Sequence, residues 1–245
     1  MGTTEDWRSP DYGDQFEGYE RPDFAQEFLR RNPAYIANYI RAGDDQQIRK
    51  EVARRWGLCV PFDPSLKASQ SKALWDEKLH PLSLEIHGPK FDVENVAAEH
   101  QGSIFRNILL SDKNGDHYVI WKKTGSQGYQ IVIPMCCDTT AKLKAAYRYW
   151  RHMEGRNAGP YPTPYRLTNQ QRKRLADALQ IIDAQKSGAN KHSTAEILYD
   201  EKISLRAWSD SSERAHVRRL LKRGKYLSDE GYRKLLNPFR GTATA

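Results

Sequence analysis

Apolar positions between residues 20 and 57 recur at helical intervals. Pro22 can open a helix carrying Phe24, Phe28 and Leu29, and Asn32-Pro33 then offers an N-cap followed by proline at the first helical position. Tyr35, Ile36, Tyr39 and Ile40 continue that second helix to a stop near Gly43. A third helix opens at Asp44 or Asp45 and repeats Ile48, Val52 and Trp56 every four residues before Gly57. These three helices form a small unit that Pro61 and Pro64 end, with a polar connector from Leu66 to Ser71.

The period then shortens. Residues 104–111, 117–123 and 129–134 read as strands, the first two joined by an Asn114-Gly115 turn and the last two by a Gly/Ser-containing one, with Leu82 to His87 as a fourth. A compact antiparallel meander is the economical arrangement. Thr139 or Thr140 caps a following helix with Leu143, Tyr147 and Trp150 on one side, and the Gly159-to-Pro164 run reads as a stiff, extended linker. Beyond it Thr168 caps a helix striped by Leu175, Ala178, Leu179 and Ile182 and ended by Gly188. Ser193 with Glu196 reads as a capping box opening a short helix. About nine residues, Glu201 to Ser209, separate it from a helix that starts at Asp210 and runs to Gly224, taken as a C-terminal glycine stop; a final short helix starts at Ser228. The expectation is an α+β chain in three parts: a helical domain over 1–75, a small antiparallel β-meander with a helix over 76–158, and a helix-turn-helix variant over 166–240.

Composition narrows the class. The 245 residues are 38% hydrophobic and 29% charged, with six Trp and thirteen Tyr, a globular and cytoplasmic profile. No stretch approaches the roughly 20 apolar residues of a membrane span, and the acidic start (Glu5, Asp6, Asp11, Asp14) is unlike a signal peptide, so no membrane partner is expected. Cys59 and the pair Cys136-Cys137 have neither metal-type nor redox spacing and read as buried thiols. The net charge of +8 is unevenly placed: residues 1–165 balance 22 basic against 22 acidic side chains, whereas residues 166–245 hold 17 against 9. A neutral body with a basic end suits a polyanion such as nucleic acid, and equally a lysine-rich soluble surface.

The segment Arg214 to Lys225 sharpens that choice, with six Lys/Arg and no acid. On a helical wheel Val217, Leu220, Leu221 and Gly224 fill one arc and Arg214, Arg218, Arg219, Lys222 and Arg223 the opposite half. A basic helix after a short capped one matches a helix-turn-helix, although the intervening nine residues exceed the usual turn. Ser211, Ser212, Arg214 and Arg218 are then candidates for base edges. Phosphate contacts fall to Arg219, Lys222, Arg223 and Lys225, and to Lys191, His192 and the helix N-terminus at Ser193. The competing reading is a solvated basic face or a protein contact. His216 sits between the arcs and reads as a packed or surface histidine.

Catalysis finds little support. The seven histidines form no HExxH or HxH pattern, P-loop and G-x-S-x-G motifs are absent, and the pairs Asp92/Glu94 and Asp112/Asp116 read as solvated surface. No cofactor and no metal are implied. In the acidic N-terminal region, Trp7, Tyr12, Phe24, Phe28 and Tyr35 are candidates for an interdomain or partner-binding surface, or else for the unit's own core.

The same residues carry a resemblance. Asp6-Trp7-Arg8 with Asp11-Tyr12, Phe24 through Pro33 with Tyr35, and Arg55 to Leu58 with Asp63-Pro64 resemble a proteobacterial transcriptional-regulator-like N-terminal domain. Leu167-Thr168, Arg172, Leu175, Leu179 to Asp183, Gly188-Ala189, Ala195 to Ile197, Trp208, Ser212, Arg218 to Leu220 and Gly231 to Leu236 resemble its partner domain, and together they look like the FseA-type activators of integrative and conjugative elements. The chain departs from that pattern in Gln26-Glu27, where many relatives show tryptophan then glutamate, and in Asp229-Glu230. The resemblance implies an extended-turn helix-turn-helix that binds double-stranded promoter DNA and activates excision or transfer genes, with RNA polymerase and a single-domain antiactivator as protein partners. The alternative is an antiactivator-like regulator that controls another activator without contacting DNA.

Overall fold

Asn32 and Asp45 act as anticipated: each side chain accepts two amide hydrogens of the first turn it caps, so α1 (Arg21–Leu29), α2 (Pro33–Ala42) and α3 (Gln46–Trp56) follow in quick succession. This computed structural model describes residues 6–238 except 92, 126, 137, 164 and 200. Glu5, Asp92, Cys137 and Pro164, each singled out above, lie outside the described residues.

The α+β class stands, with a five-stranded sheet after the first helices: β1 (Leu84–Gly88), β2 (Val96–Gln101), β3 (Arg106–Leu110), β4 (His117–Lys123) and β5 (Gln130–Val132), in the order β2-β3-β4-β1-β5. Pairing corrects the meander. β1 lies parallel to β4, and β5 pairs antiparallel with β1 instead of returning along β4. β2, whose residues are mostly exposed, carries no strand signal in its sequence Val-Ala-Ala-Glu-His-Gln; it exists because β3 offers it a ladder. The pleat divides β3 and β4 between two cores. Ile108, Leu110 and Val119 face α4 (Thr139–Met153), while Leu109 and Tyr118 face the helical body.

After α4 the Gly159-to-Tyr165 segment does not span open solvent. Tyr161 and Tyr165 are buried against the sheet, Tyr161 donates its hydroxyl to the Asp116 carbonyl at 2.9 Å, and the Arg148 guanidinium covers the Tyr161 ring. The remaining helices are α5 (Asn169–Lys186), α6 (Lys191–Tyr199), α7 (Leu205–Trp208), α8 (Ser212–Tyr226) and α9 (Tyr232–Leu236), with a π-helical turn over Leu227–Gly231 joining the last two.

One core runs from the N-terminal helices into the C-terminal ones. Trp7, Phe24, Phe28, Tyr35 and Trp56 belong to the same cluster as Leu175, Leu179, Tyr232 and Leu236. Tyr232 donates its hydroxyl to the Trp56 carbonyl at 2.9 Å and Asn32 donates its side-chain amide to the Ser228 carbonyl at 2.9 Å. Gln26 and Glu27 are buried and fasten the connector: Gln26 bonds Ser71 and Ala73, and Glu27 accepts the Ala68 amide.

Gly224 does not end its helix. A Cβ there would sit 2.9 Å from Ile182 Cδ1 and 3.0 Å from the Ala178 carbonyl, so the glycine permits close approach of α8 to α5 and the helix continues to Tyr226. The short helix expected from Ser228 is accordingly a continuation of α8 through the π turn.

Candidate nucleic-acid interface

Ser211 caps α8, its hydroxyl accepting the Arg214 amide at 3.1 Å; the helix therefore opens one residue later than an Asp210 start implies. Val217, Leu220, Leu221 and Gly224 are buried against α5 and α6, and Ile181 and Ala195 complete that small core. The wheel's other half remains in water. Arg214, Arg218, Arg219, Lys222, Arg223 and Lys225 are all exposed, and among the described residues no carboxylate pairs with any of them. Six cations on one side of a rigid helix give a field directed outward that no internal ion pair cancels.

The long segment from Glu201 to Ser211 is held by its own bonds. His192 Nε2 lies 2.5 Å from the Ile203 carbonyl, the His192 ring meets Trp208 edge-on at 5.4 Å, and Glu196 accepts the Ile203 amide at 3.3 Å. Ser204 caps α7 and Arg214 donates to the Ser209 carbonyl at 2.7 Å. Together these contacts make a four-residue helix out of the extra length, which is why the turn exceeds the usual size without being loose.

Several residues singled out in the sequence have other employment. Ser211 is occupied as the cap and Ser212 bonds Glu213 at 2.8 Å. The Ser193 reading is corrected: α6 begins at Lys191, and the Ser193 amide donates to the Asn190 side chain at 2.8 Å, so it is not a free amide for phosphate and Ser193-Glu196 is not the capping box. His192 points into the turn; Lys191 is exposed in the first turn of α6. His216 contacts the Tyr199 hydroxyl. The cations left to face a ligand are thus the Arg218-to-Lys225 set, Lys191 and, in part, Arg214.

All five N-terminal aromatic candidates are buried, so none presents a ring to an outside partner in this arrangement. Trp7 and Tyr12 reach α5, through Gln180 donating to the Trp7 carbonyl at 2.9 Å and the Tyr12 hydroxyl donating to Asp183 at 2.6 Å. Phe24 and Phe28 fill the shared core, and Tyr35 donates to the Phe62 carbonyl at 2.7 Å. The Cys59 thiol is half-buried, with burial pushing it up to about 12, whereas Cys136 is exposed and not the buried thiol anticipated. Asp112 and Asp116, read as solvated, are instead partnered: Asp112 Oδ2 lies 2.9 Å from His152 Nδ1, and Asp116 Oδ2 lies 3.2 Å from Lys72 Nζ.

Two family models match the chain. A proteobacterial transcriptional regulator-like domain covers residues 6–61, and the model described as "T6SS, Transcription factor, DNA binding domain" covers residues 132–237. The second runs from the last residue of β5 through α9 and so includes the basic helix. A search of curated proteins finds no match. Both matched families are regulatory, not enzymatic, and they support a DNA-binding transcription regulator. No described helix is long and apolar enough to cross a membrane.

Proposed function

We propose that this protein is a sequence-specific transcription activator that lays α8 in the major groove of promoter DNA. The observation that carries the reading is the exposed, acid-free row from Arg218 to Lys225 on a helix whose opposite face is packed. Arg218 and Arg214, nearest the N-terminal end, read base edges; Arg219, Lys222, Arg223 and Lys225 neutralise phosphates, with Lys191 on the neighbouring helix. Ser211 and His192 act by holding α8 and the turn in place. The 1–75, 76–158 and 166–240 divisions serve as one body in this reading, the first two bracing the third.

For the genes controlled, the resemblance to FseA-type activators favours excision and transfer functions of a mobile element, whereas the matched model's description names a secretion-system factor. Sequencing genomic fragments retained by the purified protein distinguishes these, and a promoter fusion distinguishes activation from repression. The experiment on the interface is fluorescence anisotropy with the retained duplex. The combined variant Arg218→Ala, Lys222→Ala, Arg223→Ala is expected to abolish binding while leaving the fold intact. Unchanged binding overturns the interface. The protein-contact alternative rests on the exposed acids Asp229 and Glu230 just beyond α8, and absence of any retained DNA would favour it.

A further inference from the structure

Away from the basic helix, three side chains converge where the β3–β4 loop meets the end of α4. Asp112 lies in the loop, His117 opens β4 and His152 sits in the last turn of α4. Asp112 Oδ2 is 2.9 Å from His152 Nδ1 and 3.5 Å from His117 Nε2, and one donor atom from each residue lies within 4.8 Å of the other two. In a tetrahedral zinc site with bonds of about 2.0–2.1 Å, neighbouring donor atoms stand roughly 3.3 Å apart. The two distances to the carboxylate bracket that value.

A second observation concerns the burial of His117. His117 is 3% exposed, and its Nε2 is buried with no hydrogen-bond partner. Buried polar atoms are ordinarily satisfied, so an unpaired ring nitrogen facing a carboxylate calls for an occupant. The Asp112–His152 hydrogen bond accounts for two of the residues and leaves that nitrogen unexplained. Asp112 is also oriented from behind, since its Oδ1 accepts the Asn114 amide at 2.8 Å and Oδ2 is left toward the rings. This is how outer hydrogen bonds aim a ligand. The nearby Arg148 guanidinium is held on the carbonyls of Asn114, Gly115 and Gly159.

We propose that Asp112, His117 and His152 form a binding site for one divalent transition-metal ion, zinc by its two-imidazole, one-carboxylate donor set. His152 also lines a pocket of about 450 Å³ with Glu94, Asn95, Met153 and Arg156. An ion there ties the β3–β4 loop and the start of the central strand β4 to α4, and it does not depend on how α8 reads DNA.

The test is titration of the full-length, chelator-treated protein with zinc chloride against a chromophoric chelator, and with cobalt(II) followed by visible absorption. One equivalent of zinc is expected to bind with micromolar or tighter affinity, and cobalt to give the intense visible bands of a four-coordinate ion. His152→Ala, which alters the least buried ligand, and Asp112→Asn are each expected to weaken zinc at least 10-fold and to remove the cobalt bands, while His192→Ala changes neither. Failure to bind a full equivalent, or binding unaltered in both ligand variants as checked for folding by circular dichroism, overturns the site.

Discussion

Arg31 holds both carboxylate oxygens of Asp183, with Nε donating to Oδ1 and Nη2 to Oδ2, each at 2.8 Å. The Tyr12 hydroxyl adds a third bond to Oδ2, Glu27 accepts the remaining Arg31 nitrogen at 2.6 Å, and Lys186 donates to the Arg31 carbonyl at 2.7 Å. Two residues 152 positions apart thereby join the end of α1 to α5 inside the core. Burial by itself opposes charge on each, yet the bonds to Asp183 raise Arg31 and those from Arg31 lower Asp183, so the pair stays ionised.

Breaking that pair from one side leaves a buried charge. Asp183→Asn is expected to lower stability by about 3–5 kcal/mol, and Tyr12→Phe, which removes one hydrogen bond to the ionised carboxylate, by about 1.5–3 kcal/mol. Urea midpoints of the full chain measure both. A smaller destabilisation in the Asp183 variant than in Tyr12→Phe would mean that the pair does not hold the two helices together.

Gly224 makes an opposite forecast to helix propensity. Alanine is the better helix former by about 1 kcal/mol, but here its methyl meets Ile182 and the Ala178 carbonyl at 2.9 and 3.0 Å. Gly224→Ala is expected to destabilise by about 1–3 kcal/mol and to weaken DNA binding by tilting α8. Thermal unfolding and anisotropy check the two effects together, and a stabilised variant contradicts the close packing.

His80 sets an acid limit. It is buried against the Tyr118 ring, and burial, with Lys142 nearby, takes it from 6.5 down to about 3. Because the folded pKa is depressed, the unfolded chain binds the proton first. Stability is whole above about pH 6.5 and falls as pH drops toward 3, by about 2 kcal/mol between about pH 7 and pH 5 for this one group. His80→Gln should flatten that part of the pH profile of the urea midpoint; an identical slope in the variant would remove His80 from the cause.

Salt dependence separates the roles along α8. Arg223→Ala and Lys222→Ala should weaken all duplexes alike and reduce the slope of log K against log salt by about 0.9 for each phosphate that is no longer neutralised. Arg218→Ala should instead cost roughly 1–3 kcal/mol at one base position and relax preference there. Uniform weakening on every sequence would move Arg218 to the phosphate set, and unchanged slopes would remove Lys222 and Arg223.

Local chemistry in the sequence determined much of this protein. Asn32, Asp45 and Thr168 cap where their side-chain oxygens have nearby amides to receive, and the arc of Val217, Leu220, Leu221 and Gly224 fixed which side of α8 is packed and which carries the cations. Those features depend on neighbours within about one helical turn. Tertiary structure decided the rest. β5 chose β1 over β4, β2 formed from residues without a strand pattern, and Gly224 served packing against α5 instead of ending a helix. Arg31 with Asp183, and Asp112 and His117 with His152, meet only because the chain folds back over 152 and 40 or fewer positions respectively. Spacing along a sequence records the period of a helix or strand, whereas the partner of a buried charge or ring nitrogen is set by which surfaces the core brings face to face.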